Sequence, residues 1–138
     1  MGSELENTAV YAQTVLGQHM RVVRRQREET VYQMTCDDGF AKITDYALFP
    51  GINLQFNEIH CEHLPGEEEG TRLFEINYCL EGLFECAFSA GGSAVLREGG
   101  FAACCPNCAK ADSRFPLRRY RGISVTLDLE KAQRHMDR

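Results

Sequence analysis

The feature that most constrains this chain is a change of period near Val31. From there to Asp128 the side chains alternate in character every second residue, in short runs closed by turn chemistry, and no run between them has helical spacing. The runs are VYQMT (31–35), FAKITDYAL (40–48), INLQFNEIHCEHL (52–64), LFEINYCL (73–80), LFECAFS (83–89), SAVLRE (93–98), FAACC (101–105) and YRGISVTLD (120–128). They are separated by CDDG, FPG, the charged loop PGEEEG, a two-residue turn at Glu81-Gly82, the tip AGG, Gly99-Gly100, and a loop through Pro106 and Pro116. Parallel strands need crossovers of a dozen or more residues, usually helical. Their absence predicts a mainly β, antiparallel sandwich or barrel, best fitted by a jelly roll.

The flanks change period. Ser3 and Glu6 form a capping box, Leu5, Ala9, Ala12 and Leu16 share one face, and Gly17 closes the segment, so residues 3–17 read as an amphipathic helix. Arg21, Arg24, Arg25 and Arg27 follow, with Glu28 and Glu29 directly behind, as a solvated helix end or strand start. At the other end Asp128 caps a segment with Glu130 in its first turn and Lys131 and Arg134 beyond. That pattern runs to Arg138 without a closing glycine or proline, which predicts that the helix continues in the natural chain. The division is therefore 1–29, an N-terminal helix and basic connector; 30–128, a barrel; and 129–138, the start of a linker or dimerisation helix. His19 and His135 lie in polar segments and read as solvated.

At 138 residues there is room for one domain with a true core. A formal net charge of -5 argues against a phosphate backbone as the main partner of these residues. No stretch approaches the roughly 18 consecutive apolar residues of a membrane span, and MGSELENTAVY lacks a basic n-region, so no membrane contact and a cytoplasmic location are expected. The seven cysteines are an odd number without an export signal, and read as reduced thiols.

Two constellations could carry chemistry. In LFEINYCL, alternation puts Phe74, Ile76 and Tyr78 on one face and Glu75, Asn77 and Cys79 on the other, so both faces hold more than solvent-facing charge. Glu75, Asn77 and Tyr78, with Asn57 (and Glu58 beside it) on an earlier strand, are the candidate ligand contacts; pairing among buried polar groups is the structural alternative. Phe56, Phe74 and Phe88 read as core. The second constellation is Cys104-Cys105-Pro106-Asn107-Cys108. A Cys-x-x-Cys can exchange disulfides or supply two sulfurs to zinc, and Cys105 and Cys108 would need Cys61 and His63 to converge on them. Thioredoxin-type chemistry wants a helix N-terminus after a parallel strand, which is not on offer, and inert buried thiols are the alternative. Glu67, Glu68 and Glu69 form a charged loop tip that would repel anions.

The run from FEINYCLEGLFECAF through SRFPLRRYRGISVTLDLEKAQ resembles the N-terminal half of AraC-type transcription regulators, over residues 30–138. The resemblance implies a cupin-like jelly-roll barrel with flanking N- and C-terminal helices that binds a small organic effector and forms a homodimer through those helices. DNA would be read only by a helix-turn-helix domain that these residues do not contain. Enzymatic cupins hold a metal with a His-x-His pair, a Glu a few residues on, and a His in a second motif beginning with Gly, with Pro six positions later. Here the corresponding stretch is Cys61-Glu62-His63 followed by Glu67. Gly100 and Pro106 keep their spacing, but Cys108 stands where glycine is expected and Ala111 where histidine would be. The expectation is a sensor without catalysis, metal or cofactor. Its rivals are a minimal metal-dependent cupin enzyme, such as an isomerase or dioxygenase, and a zinc or thiol sensor built on Cys104, Cys105 and Cys108.

Overall fold

The computed structural model describes residues 20–36, 38–63, 73–88, 91–104 and 110–137. The helix expected over 3–17, the Glu67–Glu69 tip, and Cys105 and Cys108 lie outside the described residues. Those described form nine strands: β1 (Met20–Gln26), β2 (Glu29–Cys36), β3 (Gly39–Phe49), β4 (Ile52–His60), β5 (Phe74–Phe88), β6 (Ser93–Arg97), β7 (Phe101–Cys104), β8 (Lys110–Arg114) and β9 (Tyr120–Leu127). They run β1-β2-β3-β4-β9-β5-β6, with β7 and β8 also on β5, and every pairing is antiparallel. Strand β4 lies beside β9 rather than β5, the non-sequential neighbour that distinguishes a Greek-key or jelly-roll path from a meander. No helix among the described residues is long and apolar enough to cross a membrane.

Two expected runs, 73–80 and 83–89, are one strand. A two-residue hairpin needs positive φ at both central residues, or glycine at the first. In Glu81-Gly82 only Gly82 has positive φ, at 99°, so the dipeptide fits neither turn. It makes a bulge instead, where the β5–β9 register slips between Cys79 and Glu81. A Cβ at Gly82 would lie 2.2 Å from the Arg119 carbonyl oxygen. Beyond this bend β5 leaves β9 and β7 and pairs with β6 and β8, so one long strand serves both halves of the barrel.

Two strands were not anticipated as such. β1 extends the sheet to residue 20, into the basic connector, and β8 lies in the stretch read as loop, where KADSR has no apolar alternation. Both are held by backbone pairing at a sheet margin, which leaves little imprint on side-chain pattern. The C-terminal segment folds as expected into helix α1 (Leu129–Met136), with the Asp128 carboxylate accepting from the Lys131 N–H at 3.1 Å. Its buried Ala132 faces the β3–β4 turn, and the Asp128 N–H donates to the Gly51 carbonyl at 2.7 Å.

Candidate functional site

Register across β2, β3, β4, β9 and β5 arranges the inward side chains in transverse rows, because residues two apart share a face. One row is Met34, Ala41, Ile59, Tyr120 and Gly82, and the next is Tyr32, Ile43, Asn57, Gly122 and Cys79. Met34, Ala41, Ile59, Tyr120, Tyr32, Ile43 and Cys79 of these rows belong to the main apolar cluster, which Cys61, Leu96 and Phe115 complete. Phe115, Phe84 and Tyr120 plug that end, with ring centroids 5.0, 5.1 and 6.2 Å apart.

The following row is polar on all five strands: Thr30, Asp45, Gln55, Ser124 and Asn77. Ala47, Asn53, Thr126 and Glu75 come after it. Asn53 and Gln55 donate amide hydrogens to the two oxygens of Asp45 at 2.8 and 2.7 Å, and Gln55 Nε2 reaches Thr126 Oγ1 at 3.1 Å. Asp45 and Gln55 are both fully buried. Burial raises the Asp45 carboxyl to about 6, and the amides of Gln55 and Asn53 only partly offset it. Among the described residues Gln55 Oε1 is a buried acceptor with no donor, a deficit that costs about 1–3 kcal/mol unless something else supplies a hydrogen.

Beside this network runs a second relay. Asn57 Nδ2 donates to Ser124 Oγ at 2.8 Å, and the Ser124 hydroxyl donates to Asn77 Oδ1 at 2.5 Å. Both asparagines are half-buried. The relay uses one polar atom of each, leaving, among the described residues, the Asn57 Oδ1 and the Asn77 amide Nδ2 as an acceptor and a donor for a third group.

Three of the four anticipated ligand contacts, Asn57, Glu75 and Asn77, thus share the interior face. Tyr78 does not: it stands on the outer face with its ring 4.7 Å from that of Phe101. Glu58 is also outward, 3.3 Å from His60. Phe56, read as core, is outward too and 43% exposed. Of the alternative metal set only Cys61 and His63 lie among the described residues. Cys61 is buried with its sulfur 3.0 Å from Cys36 Sγ, and His63 is exposed in an isolated bridge to Arg114. Cys104 pairs with Glu75 at the polar end, whereas Cys61 lies eight residues beyond Asn53 along β4, roughly 26 Å at strand rise. Among the described residues no group of three or more His, Cys, Asp or Glu could hold a metal ion. Among the described residues the polar end offers amides, hydroxyls and two carboxylates, Asp45 and Glu75, a donor set without the inward imidazoles that hold a transition metal in enzymatic cupins.

Sequence reasoning missed Asp45, Asn53, Gln55, Ser124 and Thr126. One signal was present: Asp45 shares the phase of Ala41, Ile43 and Ala47, so a carboxylate stands on an otherwise apolar inward face.

The chain matches no protein-family model and no curated protein. Among solved structures it is similar to a cupin 2 conserved barrel domain protein from Salinispora arenicola CNS-205, at 14% identity over 68% of this chain and 81% of that chain, with a TM-score of 0.55. It is also similar to KdgF from Halomonas sp. (15% identity, 64% and 78% covered, TM-score 0.53) and to FeII HppE (11% identity, 78% and 60% covered, TM-score 0.53). Likeness at this level of identity establishes the fold, and one fold hosts many chemistries. The chain folds as a cupin-type jelly-roll barrel.

Proposed function

We propose that the polar end of the barrel binds a small organic effector, and that the domain is the sensing and dimerisation half of an AraC-type transcription regulator whose DNA contacts are made by a helix-turn-helix domain outside these residues. The observation that carries this reading is the buried, unmet acceptor of Gln55 beside the half-buried Asn57–Ser124–Asn77 relay. A barrel needing only stability would fill these rows with aliphatic side chains, because buried amides and carboxylates contribute less than packed methylenes. No Lys or Arg lies on the inward phase of β2, β3, β4, β9 or the Phe74–Cys79 part of β5. With Asp45 and Glu75 facing in, a neutral or cationic ligand rich in hydrogen-bond donors is favoured over an anion.

The site has a short route to α1. Thr126 is two residues before the Asp128 cap, and Asn53 is two after Gly51, whose carbonyl receives the Asp128 N–H. A ligand that prefers one arrangement of these turns shifts the helix between two populations in proportion to its differential affinity. Besides the flanking helices that the resemblance implies, self-association fits the outer face of β4, β9, β5 and β7, where Phe56, Ile123, Tyr78 and Phe101 form an apolar row and Leu54, Val125 and Ile76 a second. Phe101 is 73% exposed. Sedimentation of the full chain should give a dimer that Phe101→Glu converts to monomer; a wild-type monomer would remove this part of the proposal.

Thermal-shift measurements against neutral sugars, phenolics, small amines and small acids test the binding claim. A concentration-dependent rise in midpoint with a neutral or cationic compound, lost in Asn77→Ala, is expected. Stabilisation by none of these classes would refute it.

One observation favours catalysis instead: Asp45, raised to about 6, is tuned as a general acid–base group would be. Both of its oxygens are engaged by amides, which fits a positioning role better. Turnover of any barrel ligand, abolished by Asp45→Asn, would reverse that judgement.

A further inference from the structure

The barrel holds a second chemical feature at its opposite end, independent of the effector site. Cys36 closes β2 and Cys61 directly follows β4, with β3 running between them. Their sulfurs are nevertheless 3.0 Å apart, inside ordinary non-bonded separation. The reason is Gly39. It pairs with Cys36 at the start of β3, and a Cβ there would sit 1.7 Å from the His60 carbonyl oxygen and 3.4 Å from Cys61 Cβ. Any larger residue would push β4 away and occupy the space over which the two sulfurs meet.

The two thiols differ. Cys61 is fully buried, and Cys36 is half-buried. Burial, then the hydrogen bond with Cys36, pushes the Cys61 thiol up, and either sulfur could donate the hydrogen between them. Around the pair, the Glu62 N–H donates to the Asp38 carboxylate at 3.1 Å, Arg118 meets Asp38 at 3.0 Å, and Arg114 meets Glu62 at 2.6 Å. These bridges hold the ends of β2 and β4 together while leaving the Cys36 side reachable from solvent.

We propose that Cys36 and Cys61 are a redox-active dithiol that a peroxide-class oxidant converts to a disulfide joining the ends of β2 and β4 across β3. Peroxide oxidises the accessible Cys36 thiol to a sulfenic acid, transferring one oxygen and releasing one water. The Cys61 sulfur then attacks Cys36 Sγ, the sulfenic oxygen leaves as a second water carrying the Cys61 proton, and the S–S bond forms. Overall two thiols lose two electrons and two protons, and one peroxide becomes two waters. Closing the gap to the ~2.05 Å bond requires about 1 Å of approach, where Cys36 forms the last pair of the β2–β3 ladder and Cys61 lies just past β4. A dithiol reductant reverses the step.

The test is graded hydrogen peroxide on the full reduced chain, then alkylation and peptide mapping without reduction. The expected result is a Cys36–Cys61 linked peptide formed before any other pair, a mass loss of about 2 Da for two hydrogens, and a higher thermal midpoint that dithiothreitol reverses. In Cys61→Ser, Cys36 should instead accumulate as sulfinic acid for want of a resolving thiol. Because that buried substitution could impair folding, the wild-type chain is also treated with phenylarsine oxide, which crosslinks adjacent thiols; protection of Cys36 and Cys61 together from alkylation is expected. Separate alkylation of Cys36 and Cys61 after peroxide, with no joint protection by the arsenical, would overturn the proposal.

Discussion

The two ends of the barrel are built from the same strands and obey opposite rules. Over Met34, Ala41, Ile59 and Tyr120 the inward side chains are apolar and plugged by Phe115; over Asp45, Gln55, Ser124 and Asn77 they are polar and tied by side-chain hydrogen bonds. Over residues 53–57 of β4 the usual phase is inverted. Asn53, Gln55 and Asn57 point inward, while Leu54 and the 43% exposed Phe56 point out. A sheet under selection for stability alone would show the reverse phase. One end is thus an apolar core and the other a hydrogen-bonded polar interior, which is how a small barrel stays folded while keeping polar groups inside.

This contrast can be broken by substitution. Phe115→Ala should produce the largest effect, a loss of about 3–5 kcal/mol in unfolding free energy measured by denaturant titration, because it opens the aromatic plug. A loss under ~1 kcal/mol would mean that the apolar end does not carry the stability. The polar end should answer to pH. The folded Asp45 carboxyl is raised to about 6 from 3.8, so the folded state holds its proton more tightly than the unfolded chain. Its contribution is full below about pH 4 and is lost as pH rises through about 6, a change of about 3 kcal/mol at most. The difference between wild type and Asp45→Asn, followed by thermal melts from pH 4 to 7.5, should show that slope, with the variant at least as stable at pH 7.5; parallel curves would remove the buried carboxylate from the account.

Two smaller changes sharpen the comparison. Asp128→Ala removes the cap of α1 beside the polar end and should cost about 1 kcal/mol, read as lowered hydrogen-exchange protection in the helix. Arg119→Ala breaks the exposed 2.6 Å bridge to Glu81 and should cost under about 1 kcal/mol, shrinking with salt. It serves as the control for a site outside both interiors.

The antiparallel barrel and the C-terminal helix were legible because period-two alternation and capping are local properties. Edge strand β8 was not, since KADSR owes its conformation to backbone pairing with β5. The Glu81-Gly82 bulge was misread because a turn dipeptide and a bulge glycine look alike until the φ requirement of each position is applied. Strand phase places Asn57, Glu75 and Asn77 on the interior face. Tyr78 sits one residue out of that phase and so lies on the outer face against Phe101. Gln55 and Ser124 were missed because their roles depend on which strands become neighbours, and β4 meeting β9 is a fact of topology that no local pattern encodes. The Cys36–Cys61 contact is hidden for the same reason, 25 positions apart in the chain.

The most direct test of the central claim is an NMR titration of the labelled chain with the compound that stabilises it best, following backbone amides. The account predicts shifts concentrated at residues 53–57, 75–77 and 124–126, extending to 128–132 in α1. Shifts centred instead on residues 32–34, 59 and 115, or spread over the outer face, would contradict it.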